Sequence, residues 1–253
     1  MNTKMKVLSL ALVGLCGFAG SAMAACPAGP TTADGGAWTS ATQLPDASST
    51  TLAIGSPGLD GSECRLNVAL APNDTASAAF VRYNHAASEP SYRAHFIIDT
   101  SNLSSFADAA TSVVVFQAPS STVAEGFNRL LRVSIVAGPG GAKRVRFIAQ
   151  RGGAVPLGQT FGTDLVNGIN HIEVNLQVGA GAAGNLKYWV NAAGASEPAA
   201  SGELANLNNA AWGGVSAAQL GLTAPTAPYS NSHGGEVLGL DAFDSRRTTW
   251  IGY

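Results

Sequence analysis

Glu173 and Glu236 are the two glutamates that fall inside strand-like runs. A pair of carboxyls is what acid–base cleavage of a glycosidic bond needs, held at about 5–5.5 Å in retaining enzymes. Glu63, Glu89, Glu125, Glu197 and Glu203 are scattered outside such runs. His171 stands two residues before Glu173, so alternation along a strand puts both on one face, where they could support proton transfer. A polar face turned to water explains the same pattern more simply. His85, His95, His171 and His233 lie far apart, with no metal-ligand spacing. His95 sits within an apolar run and reads as a hydrogen-bonded strand residue. No serine occupies a nucleophile elbow, and no glycine loop cradles a phosphate before a helix.

Binding chemistry is denser near the end of the chain. Asp241, Asp244, Arg246, Arg247 and Trp250 form its richest polar and aromatic group. Aromatic faces stack on sugar C–H surfaces, while carboxylates and guanidinium groups hydrogen-bond hydroxyls in fixed geometry. Tyr188 and Trp189 are adjacent on a strand, so one faces in and the other out. Tyr188, Asp241, Asp244, Arg246, Arg247 and Trp250 are therefore the candidate ligand-binding residues. The structural alternative has Phe243 and Trp250 filling the core and Arg246 pairing with Asp244. Asp60, Glu63, Asn73, Asp74, Asp241 and Asp244 are oxygen ligands near expected loops and suit a structural calcium. No other cofactor is implied.

These groups must be positioned in an exported chain. Lys4 and Lys6, the apolar run from Val7 to Phe18 and the small residues of Ala22-Met23-Ala24 read as a secretion signal over 1–24. The run is too short to span a bilayer, and no later stretch approaches the ~20 apolar residues that spanning needs. Cys16 leaves with the signal. Cys26 and Cys64 then remain as an even pair in an oxidising compartment, which predicts a disulfide closing a loop of about 40 residues. The destination is periplasmic or extracellular. The formal net charge of −2 becomes −4 without the two leader lysines. Such a chain carries no basic footprint for nucleic acid.

With 46% hydrophobic and only 12% charged residues, the 253-residue chain is a folded protein with a sizeable core. Its dominant period is two. Strand runs are expected at Ser77–Tyr83, Tyr92–Asp99, Val113–Gln117, Arg129–Val136, Arg144–Gln150, His171–Val178, Leu186–Val190, Ala217–Leu222 and Glu236–Phe243. The Gly-Pro-Gly-Gly turn at 138–141 predicts a hairpin. Ser104–Ala110 and Leu204–Ala211 allow only a turn or two of helix. Strands at intervals of roughly 10–20 residues, with glycine and proline between them, make an all-β antiparallel sandwich. The expected division is a signal at 1–24, an extended arm at 25–61 pinned by the disulfide, and one sandwich domain at 62–253.

The second half carries a family likeness. HIEVNL, GNLKYWVNAAG, VSAAQLGL and EVLGLDAFDSRRTTWIG follow one another in that order. This resembles the concanavalin A-like jelly-roll superfamily, in particular its bacterial laminin G-like members. Leu186-Lys187-Tyr188-Trp189-Val190-Asn191 is similar to that family's hairpin, with Asn191 where aspartate is common, and Asp241-Ala242-Phe243 to its closing strand. Asn170-His171 replaces the tryptophan often found before the central strand. The resemblance implies two large curved sheets whose face or rim often binds carbohydrate, in some members with calcium. The glutamate-x-aspartate-x-x-glutamate run of its hydrolases and the arginine-rich and glutamine-x-histidine motifs of its alginate lyase-like members are absent. Since one scaffold hosts many functions, the expectation is an exported β-sandwich that binds glycan or a surface polymer without catalysis. The alternatives are a structural or adhesive envelope protein, and a glycan-active enzyme built on Glu173 and Glu236.

Overall fold

The structure is a computed structural model that describes residues 26–120, 129–152 and 157–253. The expected signal at 1–24, and Glu125, lie outside these residues. Among the described residues, fourteen strands pair antiparallel in two sheets of seven. In chain order they are β1 (Ser40–Leu44), β2 (Thr51–Gly55), β3 (Arg65–Ala69), β4 (Ala78–Glu89), β5 (Ser91–Asp99), β6 (Ser112–Pro119) and β7 (Arg129–Ala137). Then follow β8 (Lys143–Ala149), β9 (Gly158–Asp164), β10 (Ile169–Gln177), β11 (Asn185–Val190), β12 (Gly202–Leu204), β13 (Val215–Thr223) and β14 (Leu238–Arg246). The first sheet runs β1-β4-β13-β6-β7-β8-β9 and the second β12-β11-β10-β5-β14-β3-β2.

Alternation builds the core as the sequence predicts. Ile172, Val174 and Leu176 of β10 are fully buried and stand opposite Phe96, Ala94 and Tyr92 of β5. Cross-strand partners share a face, so these rows form one apolar layer. It meets the first sheet through Phe96 on Phe116, with ring centroids 5.1 Å apart, and through Tyr188 on Phe147 at 4.0 Å. The β7–β8 hairpin turns where expected. Gly140 and Gly141 have φ of 65° and 81°, a region open to glycine at little cost.

The arm supplies an edge strand to each sheet, β1 beside β4 and β2 beside β3. Cys26 and Cys64 form the expected disulfide, with Cα atoms 5.7 Å apart and a sequence separation of 38. On the loop-entropy account such a link is worth about 3–4 kcal/mol. Trp38, Leu52 and Ile54 anchor the arm on the core.

The helical expectations are corrected. Ser104–Ala110 forms no helix, because Leu103 and Phe106 plug the end of the sandwich from an irregular segment. Leu204–Ala211 holds the end of β12 and the start of a single 3-10 turn at Ala210–Trp212. The α-helix among the described residues, α1, is Ala227–His233. Proline in its first turn suits a helix start, and Tyr229, Ser230 and His233 turn one side inward. Among the described residues no helix is long and apolar enough to cross a membrane.

Candidate functional site

The alternation that sends Ile172 and Val174 inward sends Arg93, His95, His171, Glu173 and Trp189 to the opposite face of the second sheet. Glu173 is paired across the ladders with His95 on one side and Trp189 on the other. His171 and Glu173, expected to face water, are shut in together with their neighbours: Arg93 is 0% exposed, Glu173 2%, His95 4% and His171 7%. The segment after β14 covers it. Glu173 accepts the N–H groups of Ile251 at 3.2 Å and Gly252 at 3.0 Å and forms an ion pair with Arg93 at 2.8 Å. The Arg93 guanidinium carbon lies 4.7 Å from the Trp189 ring centre and 5.2 Å from that of Trp250. Arg93 also reaches Glu197 at 3.0 Å and the Thr248 carbonyl at 3.1 Å. A fully buried guanidinium is tolerable because two carboxylates, a carbonyl and two aromatic faces surround it. Burial pushes the Glu173 carboxyl up from the ordinary carboxylate range, and the Gly252 and Ile251 N–H groups and Arg93 pull it back only in part.

Beside this ion pair stand two imidazoles. His95 Nδ1 faces the Ala242 carbonyl at 3.3 Å, which can only accept, so that nitrogen carries the proton. Neutral His95 then accepts at Nε2 from His171 Nδ1, 3.3 Å away. The remaining nitrogen, His171 Nε2, faces Asp60 at 3.4 Å. Burial, and then the neighbouring His171, push His95 down to about 4. Burial also lowers His171, against an upward pull from Asp60. Both rings are therefore neutral at pH 7, and His171 Nε2 is the nitrogen placed to take up a proton. The Tyr253 ring stacks on His171 with centroids 3.4 Å apart, and burial and Asp60 keep its phenol protonated well above neutrality. A neutral imidazole against a protonated phenol is a base beside an acid.

The sequence candidates scatter around this cluster. Trp250 belongs to it, its indole N–H donating to the Gly194 carbonyl at 2.9 Å. Arg246 pairs with Asp244 at 2.8 Å and donates to the Trp250 carbonyl at 3.0 Å. Arg247 lies mostly in solvent and pairs with Glu89 at 2.8 Å. Asp241 is occupied by the Leu59 N–H and the Ser62 hydroxyl, which tie down the loop before β3. Tyr188 faces the other way. It is buried against Phe147, its hydroxyl donating to the Phe161 carbonyl at 3.0 Å, so Trp189 is the outward aromatic of that strand. Arg93 and Tyr253 carry no motif in the sequence. Arg93 and Glu173 could each be assigned a face by alternation, but not a common register.

Glu173 and Glu236 are not brought together. Glu173 stands at the middle of β10, opposite His95 of β5, whereas Glu236 precedes β14 beyond the Asp99 end of β5, bonded to the Ser104 hydroxyl at 2.7 Å and to His233 Nδ1 at 2.9 Å. At ~3.4 Å of rise per residue the gap far exceeds the ~5.5 Å of a retaining pair. Nor do Ser104, His233 and Glu236 form a nucleophilic relay. Ser104 Oγ meets Nδ1 at 3.2 Å, the nitrogen Glu236 also holds, and a relay needs one partner on each nitrogen. Among the described residues no group of three or more His, Cys, Asp or Glu stands together as a metal-holding set. Asp74 bonds the Ala76 N–H in a turn at 2.8 Å.

Comparison with known proteins adds the fold. No protein-family model matches the chain, and no curated protein matches its sequence. Among solved structures, the chain is similar to an endo-β-1,4-glucuronan lyase from the fungus Trichoderma reesei, with a TM-score of 0.56 and 12% identity over 83% of this chain and 91% of that one. It is also similar to a cellulose induced protein, Cip1, with a TM-score of 0.52 and 12% identity over 85% and 93% of the two chains. The likeness is one of fold, a jelly-roll β-sandwich.

Proposed function

We propose that this is an exported sandwich that binds polysaccharide without cleaving it, along the outer face of the second sheet where Asp244, Arg246, Arg247, Trp250 and Tyr253 meet solvent. The reading rests on one observation: Glu173, the strand carboxylate of that face, is fully engaged by Arg93 and two backbone N–H groups. A carboxylate so occupied cannot serve as nucleophile or as mobile acid. What remains accessible is an aromatic and charged rim of the kind that holds sugars by stacking and by fixed hydrogen bonds. Asp241 supports the rim by holding its neighbouring loop. This extends the resemblance to laminin G-like members from strand pattern to binding. The disulfide suits an oxidising compartment such as the periplasm or the cell exterior.

A second reading, uronate elimination, is favoured by the neutral His171 beside the Tyr253 phenol and by the fold shared with the glucuronan lyase. One experiment separates the two. The full chain is run through affinity gels containing glucuronan, alginate, laminarin or xylan, and the two polyuronates, glucuronan and alginate, are followed for ultraviolet absorbance of unsaturated uronates. Retardation without absorbance change is expected. Absorbance growth that His171→Ala abolishes would replace binding with elimination, and no retardation on any polymer would remove both.

A further inference from the structure

The outer face of the first sheet gathers arginines that no acid answers. One row of residues crosses it from strand to strand: Arg82 of β4, Gln219 of β13, Gln117 of β6, Arg132 of β7 and Ile148 of β8. The next row sets Arg146 of β8 opposite Ser134 of β7. The sequence neighbours Val81, Leu220, Ala118, Val133 and Phe147 belong to the core, so alternation turns the arginines and glutamines outward. Arg129, at the start of β7, joins them. With Arg82, Gln117, Gln219 and Thr223 it lines an open groove of about 450 Å³.

Arg93, Arg144, Arg246 and Arg247 are each paired with a carboxylate. Among the described residues, Arg82, Arg129, Arg132 and Arg146 are not. Arg82 and Arg146 bond neutral side-chain oxygens instead, of Asn84 at 2.7 Å and of Ser112 at 3.1 Å. Burial, and then the like charges of Arg129 and Arg146, push Arg132 below the usual arginine range. In a chain of net charge −2 this face is a local concentration of positive charge, and an anion bound there would relieve its repulsion.

The spacing says what kind of anion. Adjacent strands lie ~4.8 Å apart, so Arg82 and Arg132, three strand spacings apart along the row, are separated by ~14 Å. One small anion cannot meet both, whereas an extended chain with repeated negative groups can. Between the charges stand Gln117 and Gln219, whose amides are bonded to each other. Guanidinium forks match carboxylate or sulfate, and amides pair with hydroxyls. A polymer that carries hydroxyls between its anions is an acidic polysaccharide.

We propose that the outer face of the first sheet binds a strand of acidic polysaccharide, its carboxylate or sulfate groups received by Arg82, Arg129, Arg132 and Arg146 and its hydroxyls by Gln117 and Gln219. This face lies across the sandwich from the rim proposed above and does not depend on that reading.

Calorimetry of the full chain with mannuronate, carrageenan and laminarin oligosaccharides of equal length tests it. The first carries carboxylates, the second sulfates and the third no charge, and the tighter of the first two names the anion. That one should bind at least about tenfold more tightly than the neutral oligosaccharide, the worth of one charge-assisted hydrogen bond, and should weaken as salt is raised. Arg129→Gln with Arg132→Gln should erase the preference. Equal affinity for charged and neutral sugars, a preference unchanged in the double variant, no binding of either acidic oligosaccharide, or equally tight binding of a thymidine oligonucleotide would overturn the proposal. Should the double variant fail to fold, the wild-type protein still decides. The acidic ligand must shift the Arg82, Arg132 and Arg146 Nε–H resonances, and shifts confined to Arg246 and Arg247 would refute the site.

Discussion

Two regions of the second sheet hold the same residue types in opposite states. At one, Glu173 meets Arg93 and the backbone of residues 251–252 beneath aromatic rings. At the other, Glu236 meets Ser104 and His233 at a more open edge. Burial raises both carboxyls, but the outcome differs. The bonds from the Ser104 hydroxyl, His233 and the Ser104 N–H outweigh it at Glu236, which ends below the ordinary range, while Glu173 ends above it. Exposure, more than the number of partners, separates them: Glu236 keeps a quarter of its side chain in solvent and Glu173 almost none. A carboxylate sealed in a dry site depends on its cation, whereas one at an edge keeps water in reserve.

The largest expected effect follows from that dependence. Glu173→Ala leaves Arg93 buried with only the half-exposed Glu197 as counter-charge, and should cost about 3–5 kcal/mol in urea unfolding. Replacing both partners, as Arg93→Met with Glu173→Leu, should recover most of this, since an apolar pair of similar volume needs no charge compensation. A double variant as unstable as the single one would show that the ion pair is not what distinguishes this region of the sheet.

Next comes acid titration. His95 is held near 4 in the folded protein against about 6.5 unfolded, so its contribution is complete above pH 6.5 and is lost as pH falls toward 4. At ~1.4 kcal/mol per pKa unit the loss is on the order of 2–3 kcal/mol. Stability measured from pH 7 to pH 4 should fall accordingly, and His95→Asn should flatten that slope.

The two glutamates should then diverge in the same titration. Glu236, lowered, stabilises the fold above the ordinary carboxylate pKa and loses that share as pH drops through its folded value. Glu173, raised, does the reverse, and its share fades as pH rises through its folded value. Glu236→Gln should therefore flatten the acid limb, and Glu173→Gln should steepen it. Parallel responses would erase the contrast. Glu236→Ala at pH 7 should cost only about 1–2 kcal/mol.

The smallest effect concerns the cover. Trp250→Ala removes one of two aromatic faces from Arg93, worth about 1 kcal/mol of stability, while a rim that stacks on sugar should lose about tenfold in polysaccharide retardation. Loss of stability with unchanged retardation would make Trp250 structural alone.

Much of the fold was legible because its signals are local. Strict alternation in His171–Val178 and the Gly-rich turn at 138–141 each specify a strand or a reversal without reference to the rest of the chain. β3, β9 and β12 were not legible: β12 is three residues long, β9 is edge-like with an irregular burial pattern, and β3 is five residues whose burial comes from β14. α1 was hidden because its inward side spans barely one turn. At the site, alternation assigned His171 and Glu173 to a common face, yet it could not say that a segment some 80 residues later would seal that face. Tyr188 and Trp189 show the same limit at a single step, since which of two neighbours points inward depends on register.

By itself, the order of residues determined that this chain stacks two antiparallel layers, that Cys26 and Cys64 could close one loop, and that its polar chemistry lies on strand faces rather than in loop motifs. Those outcomes depend on side-chain period and residue type, which are properties of neighbours in sequence. Tertiary structure alone decided that Glu173 is spent on Arg93, that His171 stands between Asp60 and His95, and that Arg82, Arg129 and Gln219 line one groove. Each of these needs groups separated by tens to hundreds of residues to meet within a few ångströms. Contacts of that kind are set by strand register and sheet order, which no local pattern encodes.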